Sequence, residues 1–167
     1  DRGYINPYDG SLTILGRIIG EEGMIKINGI RIELEEIEAT IISHNNYNNN
    51  YCPVVLDCLT RVIKIEESNQ QYIHAYCVLS DTVWKELGSS NANAGIILNG
   101  GTPLWTLLRI TCSRRLKNAG IPSIFIGIRQ LPLSRTGKRN RNGLPDLKSC
   151  DILNNNNNNY SIYHMIL

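Results

Sequence analysis

The sequence predicts an α+β fold, a small mixed sheet with a β-hairpin and flanking helices. Three observations carry this. Short stretches with the period of half-buried strands are interspersed with stretches of helical period. Glycine-bearing turn signals separate them. The 167 residues, 42% hydrophobic and 19% charged, suit one globular domain of ordinary size.

Asp9-Gly10 is a turn signal, and residues 12–15 after it read as a short strand. A second turn at 20–23 precedes residues 24–28, where apolar and polar residues alternate. Those two strands are expected to pair as a hairpin with a long loop. From Glu33 onward, Leu34, Ile37, Ile41 and Ile42 fall at helical spacing, with Glu33, Glu35, Glu36 and Glu38 on other faces. Acids early in that helix suit its positive end. Two more strands follow at 54–65, with a break expected near Cys58-Leu59-Thr60, and at 72–79.

Residues 89–101 are small, polar and glycine-rich, and read as a loop despite the Ile96-Ile97-Leu98 patch. Pro103 suits the first turn of a helix whose apolar positions run through Leu104, Leu107, Leu108, Ile110 and Leu116 to Asn118, with Gly120 ending it. Residues 124–128 form a buried strand, and Leu131-Pro132-Leu133 leads into a basic loop at 134–142. Asparagine crowds residues 45–50, around Tyr47, and 154–159 without interruption. Such tracts bury too little apolar area to offset their ordering entropy, which predicts a loop insertion and a disordered tail.

Composition excludes several functions. Seventeen basic against fifteen acidic residues leave +2, which argues against a nucleic-acid coat. A small nucleic-acid binder built on 129–148, where six basic residues face only Asp146, lacks an aromatic stacking platform. No apolar run approaches the roughly 18 residues of a membrane helix. Five widely spaced cysteines (Cys52, Cys58, Cys77, Cys112, Cys150) fit neither a disulfide framework nor a zinc site. Structural thiols and a reducing, cytoplasmic setting follow, with Cys77 read as buried and inert. His44, His74 and His164 show no metal-ligand spacing and no catalytic-triad partner. Asp1 opens the chain without a charged-then-apolar leader, so a piece of a larger protein or a missing start is expected.

The strongest chemical signal is the loop Leu131-Pro132-Leu133-Ser134-Arg135-Thr136-Gly137-Lys138-Arg139-Asn140-Arg141. Gly137 can adopt backbone angles that present the next side chain outward, and Lys138 is a compact positive charge suited to a phosphate or carboxylate oxygen. Spacing alone favours a solvated basic turn or an import patch from Arg135, Lys138, Arg139 and Arg141. A phosphate-binding P-loop fails, because Gly137-Lys138 is followed by Arg139 and Pro132 stands where the first glycine belongs.

Gly16-Arg17, followed by the run from Ile25 through Gly29 to Glu38, resembles the hinge and following core motif of adenylate-forming enzymes. The look is that of non-ribosomal peptide synthetase adenylation domains. The 131–141 loop resembles the C-terminal motif of the same superfamily, and Ile121-Pro122 lies the usual short distance ahead of it. The resemblance covers about residues 1–145. It implies the C-terminal lid domain of an enzyme that activates a carboxylic acid with ATP and passes the acyl group to a thiol. By it, residues 1–11 end the large N-terminal domain, 12–148 form the lid, and 149–167 form the Asn-rich tail.

The resemblance makes Lys138 the adenylation lysine, Arg17 and Asp1 ribose contacts, and Lys26 and Gly29 groups facing the active site in the thiol-transfer pose. It implies ATP with Mg2+ bound mainly by the large domain, and phosphopantetheine or coenzyme A as acceptor. The implied partners are an N-terminal adenylation core and a carrier protein or coenzyme A. Ile19 stands where the family has an acidic hinge residue, leaving Glu21 or Glu22 for that place, and Asn140 replaces an aspartate. Residues 45–50 and 89–101 read as insertions. Without the large domain the chain alone is expected to be inactive. A different reading is a stand-alone, non-catalytic module of this fold that binds a partner or nucleotide.

Overall fold

The computed structural model describes residues 2–16, 24–27, 29–43, 53–65, 68, 70–87 and 95–152. In order, the elements are β1 (Arg2–Ile5), β2 (Leu12–Gly16), β3 (Met24–Ile27), β4 (Ile30–Glu33), α1 (Leu34–Ser43), β5 (Val55–Ile65), β6 (Gln70–Leu79), α2 (Asp81–Glu86), β7 (Ile96–Leu98), α3 (Pro103–Arg115), β8 (Ile124–Ile128) and β9 (Asp151–Ile152). This is the mixed α+β class that the sequence predicts.

The hairpins differ from expectation. β2 pairs with β1, Ile5 opposite Leu12, and β3 pairs with β4, Ile27 opposite Ile30. The strand at 12–15 and the strand at 24–27 therefore each take a nearer partner. Short loops cost less closure entropy than the long one expected between them. Asp9 and Gly10 do form a turn: the Asn6 N–H donates to Ser11 O at 2.8 Å and Gly10 has φ +70°. β4 was hidden because Ile30-Arg31-Ile32 runs straight into the helical run at Leu34.

The main sheet has the order β5-β6-β8-β7-β9. β5 and β6 are antiparallel, β6 and β8 parallel, β8 and β7 antiparallel, and β7 and β9 parallel. Side chains alternate between two cores, as strand geometry requires. On one face Cys58, Ile73, Ala75, Cys77, Leu98 and Phe125 pack with Leu34, Ile37 and Ile41 of α1 and with Leu104, Leu108 and Cys112 of α3. On the other, Leu59, Tyr76, Ile97, Ile124, Ile126 and Ile128 are covered by Leu144 and Cys150, with Leu131 and Leu147 beside them. Residues 131–150, which begin with the basic loop, are thus a strap across the second face.

Several expectations are corrected by this packing. β5 runs unbroken through Cys58-Leu59-Thr60, its irregularity lying between Val55 and Asp57. Ile96-Ile97-Leu98 is a strand rather than loop, buried at all three positions between β8 and β9. It shows no alternation because both its faces are covered. α3 stops at Arg115, three residues short of Asn118, where Leu116 turns extended (φ −100°, ψ 152°) and packs on the first core. Gly120 instead closes a short 3-10 turn, Asn118–Gly120. Within the stretch expected as tail, Ser149 ends another such turn and β9 pairs with β7. The two Asn tracts lie outside the described residues. Cys58, Cys77, Cys112 and Cys150 are buried free thiols, and burial pushes Cys112 up to about 12.

Candidate active site

Lys138 sits in a tight reversal that the sequence builds locally. The Gly137 N–H donates to Ser134 O at 3.0 Å, and the Ser134 N–H donates to Lys138 O at 2.7 Å. Leu133 bridges Arg139 in antiparallel fashion, and the Asn140 N–H donates to Pro132 O at 2.9 Å. Gly137 has φ +77°, the left-handed conformation that closes such a turn with little strain only for glycine. The Ser134 hydroxyl oxygen accepts from the Lys138 N–H at 3.2 Å and lies 3.0 Å from the Thr136 hydroxyl. The Lys138 side chain is exposed, as the sequence predicts for a lysine displayed outward.

Two ion pairs tie the C-terminal side of this reversal to β5 and α1. Arg139 Nη2 lies 2.9 Å from Asp57 Oδ1, both partly solvated. A pair of that exposure contributes at most about 1 kcal/mol. Arg141 pairs with Glu38 of α1 in a far drier setting, with side chains 15% and 6% exposed. Arg141 Nη1 also donates to Thr60 O at 2.6 Å. Glu38 Oε1 accepts from the Thr60 N–H at 2.8 Å and from the Thr60 hydroxyl at 2.7 Å.

β5 is an edge strand, and the Thr60 N–H and C=O face away from β6. The carboxylate and the guanidinium take the places of a neighbouring strand's carbonyl and N–H. Unpaired edge groups are an invitation to aggregation, and here an ion pair covers them. This corrects the reading of Glu38 as lying off the apolar face. Its spacing from Leu34 (four residues) and Ile41 (three) already placed it on the core stripe, which was the available signal.

Further along the strap, Arg61 Nη2 lies 2.8 Å from Asp146 Oδ1, and Arg61 Nη1 donates to Leu144 O at 3.1 Å. The Tyr76 hydroxyl donates to Pro145 O at 2.8 Å, and burial pushes its pKa up to about 12. Across the β5–β6 pair from Arg61 lies His74, which burial, and then the Arg61 charge, push down to about 4.

The remaining candidates fall elsewhere. Lys26 is exposed on β3 opposite Arg31, and Gly29 (φ +80°) closes the β3–β4 hairpin with open space where a Cβ would lie. They share one hairpin, whereas Lys138 belongs to the strap. Asp1, Arg17 and the hinge candidates Glu21 and Glu22 lie outside the described residues. Among the described residues no three His, Cys, Asp or Glu side chains are grouped to hold a metal ion. No described helix is long and apolar enough to cross a membrane.

No protein-family profile matches the chain. Individual proteins do. The chain is 31% identical over 147 residues to a PKS-NRPS hybrid synthetase from Chaetomium globosum, covering 88% of this chain and 3% of that protein. Gramicidin S synthase 2 from Brevibacillus brevis is 31% identical over 148 residues, 89% of this chain and 3% of the synthase. The chain therefore spans only a few per cent of the length of these relatives.

Among solved structures, o-succinylbenzoate CoA synthetase from Bacillus subtilis, in complex with its acyl-adenylate intermediate, is 23% identical. It has a TM-score of 0.51, with 86% of this chain and 23% of that one covered. An acyl-CoA synthetase from Brucella canis is 18% identical with a TM-score of 0.51, over 83% of this chain and 20% of that one. Sequence and fold thus agree with the motif resemblance. The chain matches the C-terminal subdomain of adenylate-forming enzymes, with its sequence relatives among peptide synthetases.

Proposed function

We propose that this chain is the C-terminal lid of an ATP-dependent ligase that activates a carboxylic acid, amino or acyl, as its adenylate and then forms a thioester. In the first step a carboxylate oxygen attacks the α-phosphorus of ATP and pyrophosphate leaves. In the second a thiol sulfur attacks the adenylate carbonyl and AMP leaves, the thiol proton going to solvent or a base. The observation that carries the reading is Lys138 exposed on a reversal braced against the sheet edge.

An ammonium presented in that way offsets the charge that gathers on the transferring phosphoryl and carboxyl oxygens. ATP, its Mg2+ and the acid are assigned to a large domain preceding this segment, in the same chain or in trans. Arg17 and Asp1 are proposed ribose contacts. Lys26 and Gly29 are proposed to face a phosphopantetheine or coenzyme A thiol in the second pose, which implies a carrier protein or free coenzyme A as partner. Tyr4, Ile5 and Tyr8 are exposed, which supports reading residues 1–11 as the end of that large domain and the approach to the hinge.

The test is Lys138→Ala in the protein that joins this segment to its large domain. Acid-dependent pyrophosphate exchange should fall by about 100-fold or more, the worth of one transition-state contact of about 3 kcal/mol, with a smaller effect on thioester formation. Equal, mild losses in both half-reactions would refute the assignment. The 167-residue chain alone should consume no ATP in an acid-dependent way.

A further inference from the structure

We propose that Glu38, Thr60 and Arg141 form a latch that positions Lys138, so that this cluster acts on adenylation through the lysine without touching substrate. The inference rests on the reading of Lys138 given above. Only Arg139 and Asn140 separate Lys138 from Arg141, and both are engaged. Arg139 pairs with Asp57, the Asn140 N–H donates to Pro132 O, and Asn140 Oδ1 accepts from the Asn142 N–H at 3.1 Å.

Asp57 and Thr60 lie three residues apart on β5, about 10 Å along a strand. The C-terminal stem of the lysine turn is therefore held at two points on a rigid edge. The outer point, Arg139 with Asp57, is solvated and exchangeable. The inner one is dry, and its geometry is over-determined. One guanidinium nitrogen meets the Glu38 carboxylate, Thr60 O at 2.6 Å and Thr60 Oγ1 at 3.3 Å, while the same carboxylate oxygen accepts from the Thr60 N–H and hydroxyl. Apolar side chains of similar volume serve stability as well as a buried ion pair does. What the ion pair adds is direction, because a planar guanidinium held by fixed acceptors sets the path of the chain leaving it. A lysine on four flexible carbons is useful to a transition state only when its backbone anchor holds to within about half an ångström.

Glu38→Gln keeps the shape and removes the charge, Arg141→Lys keeps the charge and removes the planar guanidinium, and Thr60→Ser is the conservative control. Each is made in the protein joining this segment to its large domain, with and without Lys138→Ala. Thermal midpoints establish that each variant is folded. The latch predicts that Glu38→Gln and Arg141→Lys each lower kcat for pyrophosphate exchange by about tenfold or more, with KM for ATP and acid within about twofold. Thr60→Ser should retain wild-type kcat. In the Lys138→Ala background, Glu38→Gln should cause no further loss, since a residue acting through the lysine has nothing left to position.

A loss that multiplies with that of Lys138→Ala, or a folded Glu38→Gln or Arg141→Lys enzyme with unchanged kcat, would overturn the latch while leaving the lysine reading intact. An unaffected Lys138→Ala enzyme would overturn both. A second measurement needs no large domain. In the 167-residue chain, tryptic cleavage after Lys138 should rise at least about tenfold in folded Arg141→Lys, since opening of the turn governs its rate. An unchanged cleavage rate would refute the latch by itself.

Discussion

Acidification from pH 7.5 to 5 should destabilise this protein through His74 by about 2 kcal/mol, and His74→Phe should abolish that loss. His74 is 4% exposed on β6, and its Nδ1 has no hydrogen-bond partner. Across the strand pair lies Arg61. Burial first, and the Arg61 charge second, push the imidazole down to about 4, against about 6.5 in an unfolded chain. Between those values the unfolded state binds the extra proton, so stability is full above about 6.5 and is lost as pH falls toward 4. The complete shift is worth about 3 kcal/mol, of which about 2 kcal/mol falls between pH 7.5 and 5.

Below pH 5 carboxylates join the titration, so the comparison stops there. With a urea m-value of about 2 kcal/mol/M, the midpoint should drop by about 1 M in the natural sequence. In His74→Phe, whose other histidines His44 and His164 are unchanged, the two midpoints should nearly coincide. An equal acid-induced drop in both proteins would show that His74 is not the buried neutral group the structure describes.

The same urea titrations check two local predictions. Gly137→Ala should cost about 1–2 kcal/mol, because a Cβ there meets nothing within 4 Å and only the backbone at φ +77° resists it. Gly137→Asn should recover part of that loss, since asparagine tolerates the left-handed region. Thr102 caps α3, its hydroxyl accepting from the Trp105 N–H at 3.2 Å and donating to Asn99 O at 3.0 Å. Thr102→Ala should therefore cost about 1 kcal/mol, and Thr102→Ser much less.

The helical run from Leu34 was legible through its helical spacing, and the strand at 124–128 as a short, almost unbroken apolar run. The 131–141 loop was legible because Gly137 and Lys138 sit in a turn closed by neighbours within four residues. β4 and β7 were not, since four and three residues give no period to count. The break expected at Cys58-Leu59-Thr60 failed for a related reason. A threonine in an apolar run reads as an interruption until its buried hydroxyl and outward backbone groups find Glu38 and Arg141, 22 residues earlier and 81 later.

By itself, then, the sequence determined the α+β class, most element positions, the burial of Cys77 and the display of Lys138. These depend on local backbone preferences and on alternation of apolar with polar residues, both written over a few residues. Tertiary structure alone decided which strands pair, that residues 131–150 cover the second face of the sheet, and that Glu38 is a buried partner rather than a solvated acid. Those outcomes turn on competition between loop closures and on the desolvation of charges by residues far along the chain. Neither leaves a periodic trace, because the energy of a buried carboxylate is set by whatever guanidinium and N–H groups the completed fold brings to it.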